Sequence, residues 1–543
     1  MQAATNHNKL LLLCFMLMQI VVPALADHYY FRIQFKDKKN SPYSMYSPSA
    51  FLSEKALVRR GNYWIHVDST DLPVNPAYVN QVAATGVDVR FRSRWLNNIT
   101  ILTTDSSVMA QIRNFSFVKE VEYTGKITSA QPAPRKNKFS GINYNYGSAN
   151  TQITQLNGQF LHQQGSTGEG VVIAVLDAGF KNVNINPAFD SLRFYNRILG
   201  TKNFTYPAVD VYTTDNHGAH VLSVMGAHLP GQYVGTAPKA SYWLLQTEYA
   251  PSEFLYEVDA WVAGAEFADS VGADIINSSL GYTEFDDSTM NYTYADMNGQ
   301  VSRASIAATL ASAKGIIVCN SAGNSGNTAW KFIGAPADAR DILTVGAVNG
   351  TGTIASFSSW GPSADNRVKP EVCAMGSATA LVSVSGSVIY GNGTSFSSPV
   401  IAGITASYLE FFRSQTYMFT PFSVRHGIIN SADRYFSPDN RYGYGLPDFS
   451  RAIFSVPTGY YASKENTRNQ IIFIPETKEL LIKSNDSSEL HTVKIIAMNG
   501  RSMGIHTISD KIARLNLTGL PKGMYMAMVN NGQTTESLKF IIQ

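Results

Sequence analysis

The sequence predicts an α/β fold on a mostly parallel sheet, preceded by a small α+β unit and followed by a small β-sandwich. Three observations predict it. Continuous apolar runs at Val171–Leu176 and Ile316–Cys319 read as strands buried on both faces, which is how parallel strands sit. Small-residue runs at Asp215–Ala227 and Gly391–Gly403 follow turn signals and read as buried helices. Strand-like alternation recurs at both ends of the chain, with two helical stretches at the front and Asn/Asp/Gly turns at the back.

With 543 residues and 44% hydrophobic content, the chain can bury several cores, and its length favours about three domains. The formal charge of +3, with 15% charged and 11% aromatic residues, excludes a disordered chain. No basic stripe is present, so nucleic acid is not an expected partner.

Taken in order, Lys9 precedes the apolar run Leu10–Val22, and Pro23–Ala26 supplies a small-x-small cleavage site. Residues 1–26 are therefore expected to be a signal peptide. The run is too short to span a bilayer comfortably, so the mature chain is expected to carry no transmembrane anchor. Residues 27–125 form the α+β unit. Strands are expected at Tyr29–Phe35, Val87–Arg92, Ile99–Leu102 and Val118–Tyr123, and helices at Ala77–Thr85 and Ser107–Phe115. This succession fits a ferredoxin-like sandwich. Residues 126–150, with Pro132, Pro134, basic and Asn/Gly/Ser residues, read as a linker. Residues 151–455 hold the parallel sheet. Residues 456–543 read as a β-sandwich with strands at Leu480–Lys483, Thr492–Ile496, Ala513–Leu517, Met524–Val529 and Leu538–Ile542. Removal of the signal would leave Cys319 and Cys373, which read as a pair or as free buried thiols.

The chemistry concentrates in four places. Gly391–Gly403 (GNGTSFSSPVIAG) sets Ser395 in the first turn of a helix, where unpaired N–H groups and the macrodipole favour a developing oxyanion. A serine hydroxyl is a weak nucleophile, so it needs a histidine base and a carboxylate to fix the histidine's tautomer. Asp177 ends the Val171–Gly179 strand, at the strand end where open α/β sheets place their sites. His217 opens the second helical run with Gly218 beside it, which lets another backbone approach. Gly315–Gly326 (GIIVCNSAGNSG) runs from a strand into a Gly/Asn loop carrying Asn324.

These segments resemble the aspartate, histidine, oxyanion and serine boxes of the subtilisin-like serine proteases, the subtilase family, in the family's chain order. The resemblance covers roughly residues 145–455. It implies a doubly wound sheet, catalytic Asp177, His217 and Ser395, and Asn324 as the amide donor to the oxyanion. Asp274–Gly281 (DIINSSLG) resembles the family's substrate strand, which implies that Ser279, Leu280 and Gly281 pair with extended peptide by β-augmentation. Residues 27–125 resemble subtilase prodomains, which implies that the protein's own prodomain is an inhibitory partner and that the linker is the processing region. Met498–Arg501 and Leu517–Tyr525 resemble the C-terminal sorting domain of Bacteroidota type IX secretion, whose machinery is then a partner.

The expected function is secreted serine endopeptidase action on polypeptides. The alternative is a catalytically silent subtilase scaffold that binds at the surface, motivated by Ala178 and Ala219, which stand where the family carries hydroxyl residues. The expected location is secreted or cell surface, or periplasmic if sorting fails. No cofactor or catalytic metal is required. His220 lacks the spacing of a zinc motif and reads as a packing residue. A structural calcium is left open on Glu284–Asp287 with Asp296 and Asn298, where a solvated acidic loop is the favoured reading.

Overall fold

The computed structural model describes residues 28–63, 65–127, 145–414, 419–455, 469–474, 478–484, 491–497, 501–508, 512–530 and 535–542. The expected signal peptide, Cys14, most of the linker and the Met498–Gly500 turn lie outside the described residues.

The first unit contains β1 (His28–Phe35), α1 (Glu54–Asn62), α2 (Pro76–Ala83), β2 (Asp88–Ser93), β3 (Asn98–Thr103), α3 (Met109–Arg113) and β4 (Val118–Ile127). Its antiparallel sheet has the order β2-β3-β1-β4, as a ferredoxin-like sandwich does. Phe31, Ile33 and Phe35 on β1 alternate into a core with Val79, Val82 and Ile112 from the helices. Helix α1 was not among the expected elements. Ser53 caps it by accepting the Ala56 N–H at 3.2 Å.

The central unit is a seven-stranded parallel sheet. In chain order its strands are β5 (Val172–Asp177), β6 (Ile198–Asn203), β7 (Ser241–Gln246), β8 (Ile275–Ser278), β9 (Ile317–Ser321), β10 (Leu343–Val348) and β11 (Val372–Met375). Their spatial order is β11-β10-β9-β8-β5-β7-β6. From β5 the chain goes to the edge strand β6, returns to fill the gap with β7, and then crosses to the other side of β5 with β8, β9, β10 and β11, so β5 is the switch point where open sheets form a crevice. Alternation along β5 sends Ile173 and Val175 to one core and Val172, Ala174 and Leu176 to the other. Helices α4 (His217–Gly226) and α7 (Thr394–Ser414) cover the first face. Helices α5 (Leu255–Ser270) and α6 (Arg303–Ala313) cover the second. The two cysteines are separate buried thiols on β9 and β11. With β10 between them, strand spacing alone holds them about 9–10 Å apart, beyond disulfide reach.

The last unit has a three-stranded sheet and a four-stranded sheet. Besides the strands expected, it includes Asn469–Ile474 and Ser502–Ile508. Ile471, Leu480, Val493, Ala527 and Val529 lie in its core.

The first unit is clamped to α5. Asp269, fully buried in its last turn, accepts from Arg59, from Arg60 at 2.7 Å and from Arg94 at 2.5 Å. Nearby, Glu266 accepts from Ser93 Oγ at 2.6 Å and from the Arg94 and Trp95 N–H groups at 2.8 and 3.0 Å. Removing one partner from a buried ion cluster leaves uncompensated charge, which costs about 3–5 kcal/mol. Asp269→Ala is therefore expected to destabilise the intact chain by about that amount in urea unfolding, measured in a Ser395→Ala background. A loss below about 1 kcal/mol would remove the clamp from the account.

Candidate active site

The period of two that buries Ile173 and Val175 against α4 also aims Asp177, the last residue of β5, at that helix. Asp177 is fully buried, and its Oδ1 lies 2.7 Å from His217 Nδ1. The Ala178 N–H donates to the same Oδ1 at 2.8 Å, while Oδ2 has no hydrogen-bond partner. His217 is the first residue of α4, and Asp215 accepts its N–H at 2.7 Å. Gly218 is required by the close approach: a Cβ there would sit 2.4 Å from the Gly179 carbonyl oxygen and 2.9 Å from Asp177 Cβ.

Ser395 is the second residue of α7, in the stretch where helical N–H groups have no intrahelical acceptor. Its Oγ is 3.4 Å from the Ser279 carbonyl oxygen rather than hydrogen-bonded to His217, and Ser279 Oγ donates to the Ser395 carbonyl at 2.9 Å. The His217 ring faces the neighbouring Phe396 at 6.1 Å between centroids. Catalytic hydrogen bonds are often loose until substrate binds.

Asn324 is held by its other end. Its Oδ1 accepts from the Thr394 N–H at 2.8 Å and from Thr394 Oγ1 at 3.0 Å, which leaves the amide Nδ2 for the cavity. Ser279, Leu280, Gly281, Asn324, Thr394 and Ser395 line one cavity of about 140 Å³. Residues 279–281 leave the sheet just beyond β8, and Gly281 is exposed.

All the expected site residues thus lie at the carboxyl edge of the sheet, Asp177 with His217 as a bonded pair and the others around the cavity. Sequence reasoning missed Asp215, Thr394 and Glu248. Asp215, two residues before His217, was legible as a capping carboxylate. Glu248, two residues beyond β7, carried no sequence signal, because only the pairing of Gln246 with Asp177 brings it to the site. The acidic loop weighed for calcium serves its own turns: Asp287 accepts from Thr289 and Asp296 from Thr293.

Comparison with known proteins adds three findings. Residues 168–445 match the subtilase family model, residues 30–139 the Bacteroidota peptidase S8 propeptide domain, and residues 474–543 the secretion system C-terminal sorting domain. The chain is similar to serine protease AprX of Bacillus subtilis, 29% identical over 327 residues, covering 55% of this chain and 68% of that protein. It is also similar to subtilisin E of the same organism, 30% identical over 300 residues, covering 54% of this chain and 68% of that protein. Among solved structures, MycP1 with its N-terminal propeptide removed aligns at 22% identity and a TM-score of 0.43, covering 58% of this chain and 98% of that one.

Burial works against a charged His217, but the Asp177 carboxylate, with Asp215 and Glu248, outweighs it and holds the imidazole pKa up at about 9. A raised histidine pKa stabilises the fold fully below the ordinary value of about 6.5, and that contribution is lost as pH rises through about 9. An NMR titration of the His217 ring should show a midpoint near 9 that falls in Asp177→Asn. A midpoint at or below about 6.5 would contradict the pairing.

Proposed function

Because this chain belongs to the subtilase family, and is a serine endopeptidase, we propose that Asp177, His217 and Ser395 hydrolyse peptide bonds of polypeptides in the cleft at the carboxyl edge of the sheet. The observation that carries this reading is the 2.7 Å bond from His217 to the buried Asp177 carboxylate, on the helix beside Ser395. That bond fixes the Nδ1–H tautomer and leaves Nε2 as the base.

Substrate adds to the exposed backbone of Ser279, Leu280 and Gly281 as an extended strand. His217 takes the Ser395 proton as Oγ attacks the scissile carbonyl, and Asp177 stabilises the imidazolium. The tetrahedral oxyanion is held by the Ser395 N–H and by Asn324 Nδ2, aimed by the two Thr394 bonds to Oδ1. Collapse expels the amine, which receives the proton from His217. Water then enters as the second nucleophile and releases the acyl group.

The protein is made as a precursor that leaves the cell. The sorting domain at 474–543 supports secretion or surface display, and the signal peptide 1–26 starts export. The propeptide domain supports an inhibited zymogen that cuts itself between Lys126 and Asn150.

Ser395→Ala should lower turnover by about 10⁶-fold, and Asp177→Ala by about 10⁴-fold. Asn324→Ala should cost about 10²–10³-fold in kcat, because one oxyanion donor is lost. Retained hydrolysis in Ser395→Ala would reject the mechanism. The same variant, made in a host free of other proteases, should accumulate as uncut precursor. Normal trimming there would refute self-processing alone.

A further inference from the structure

Where the prodomain meets the catalytic unit lies a groove of about 1000 Å³ that the mechanism does not use. Residues Val89–Arg92 of β2 line it from the prodomain, and Thr201–Asn203 of β6 line it from the catalytic unit. Ala263, Glu266, Phe267 and Ser270, spaced as one face of α5, line it as well. Both β2 and β6 are the last strands of their sheets, paired on one side only. Side chains alternate along a strand, so consecutive residues reach the groove only where the backbone edge itself borders it. Such an edge leaves a row of N–H and C=O groups open to another strand.

The charges along the groove do not balance. Arg90, Arg92, Arg94 and Lys202 line it against Asp210 and Glu266. Both carboxylates are engaged: Glu266 holds Ser93, Arg94 and Trp95, and Asp210 accepts the Tyr212 N–H at 3.0 Å. Arg94 is taken by Asp269, and Arg90 lies 3.0 Å from the Asp88 carboxylate. Arg92 and Lys202 remain, one from each unit, both exposed and without an ion pair among the described residues. The Lys202 ammonium lies over the Phe204 and Phe267 rings at 4.9 and 4.7 Å, which holds it at the groove with no counter-charge. The chain's own linker is the wrong sign to supply one: residues 128–144 carry Arg135, Lys136 and Lys138 and no acid.

We infer that this groove is the docking site for an extended acidic segment of a partner protein, whose main chain adds to the open edges of β2 and β6 and whose carboxylates pair with Arg92 and Lys202. Main-chain hydrogen bonds supply the affinity of such an added strand, and the two cations select the sign of its side chains. A segment held by both units binds only while the prodomain is docked, so its binding favours the docked form. Nothing in this inference depends on the catalytic triad.

The test uses fluorescence anisotropy of a labelled peptide of about ten residues, alternating threonine and glutamate, with the intact Ser395→Ala precursor. The control peptide carries glutamine for each glutamate. At low salt the glutamate peptide should bind at least about fivefold tighter than the control, and the advantage should shrink at about 0.5 M salt. Arg92→Glu and Lys202→Glu should each remove that preference. Both residues are exposed, so each variant should keep the thermal midpoint of its parent. Equal binding of the two peptides, or binding of neither up to about 1 mM, would overturn the inference. Loss of the preference in only one of the two variants would place the peptide on one unit and overturn the bridging. A peptide-free dimer of the precursor that Lys202→Glu abolishes, with no peptide binding, would assign the groove to a second copy of the chain instead.

Discussion

Burial makes an unpaired carboxylate charge costly, and Asp177 is paired by His217 at 2.7 Å. This one bond explains much of the surrounding construction. The carboxylate sits at the end of β5, the strand at which the sheet reverses its winding, so its backbone is fixed by neighbours on both sides. Glycine at 218 lets α4 start directly above it. The bare Oδ2 of Asp177 is the local weakness: Ala178 gives a backbone N–H to Oδ1 but has no hydroxyl to reach the other oxygen.

The serine half of the site is built on a different support. Helix α7 is packed closely enough that a Cβ on Gly403 would lie 1.9 Å from Thr236 Oγ1. Thr394 at its start fixes Asn324, so the nucleophile and the oxyanion donor are referenced to one helix end. Base and nucleophile thus arrive on two helices, α4 and α7, that cover the same face of the sheet. The prodomain grips the opposite face through Arg59, Arg60 and Arg94 on Asp269. It covers α5, meets the last turn of α7 where the Arg413 guanidinium donates to the Tyr63 hydroxyl at 3.2 Å, and packs β4 against Phe254 and Tyr256.

The four chemical boxes were legible in the sequence because each couples a residue type to a strand or helix end. Asp177 follows an unbroken apolar strand, and Ser395 and His217 open small-residue helices. Other parts were illegible for physical reasons. Helix α1 (EKALVRRGN) has almost no apolar stripe; its Arg59 and Arg60 find a partner in Asp269, about two hundred residues away, and local spacing cannot announce such a partner. The strand Ser502–Ile508 has weak alternation interrupted by Gly504. Glu248, Glu253 and Glu257 read as polar residues of a loop and a helix start, and only their burial beside Asp177 makes them unusual.

The most direct test of the central claim is the state of one hydroxyl. Ser395 is activated only if His217, oriented by Asp177, removes its proton. Incubation of the mature protein with a fluorophosphonate, followed by mass spectrometry of its peptides, should find a single adduct on Ser395 that is absent from His217→Ala. An unlabelled Ser395 in the folded wild-type protein, or equal labelling without His217, would contradict the account.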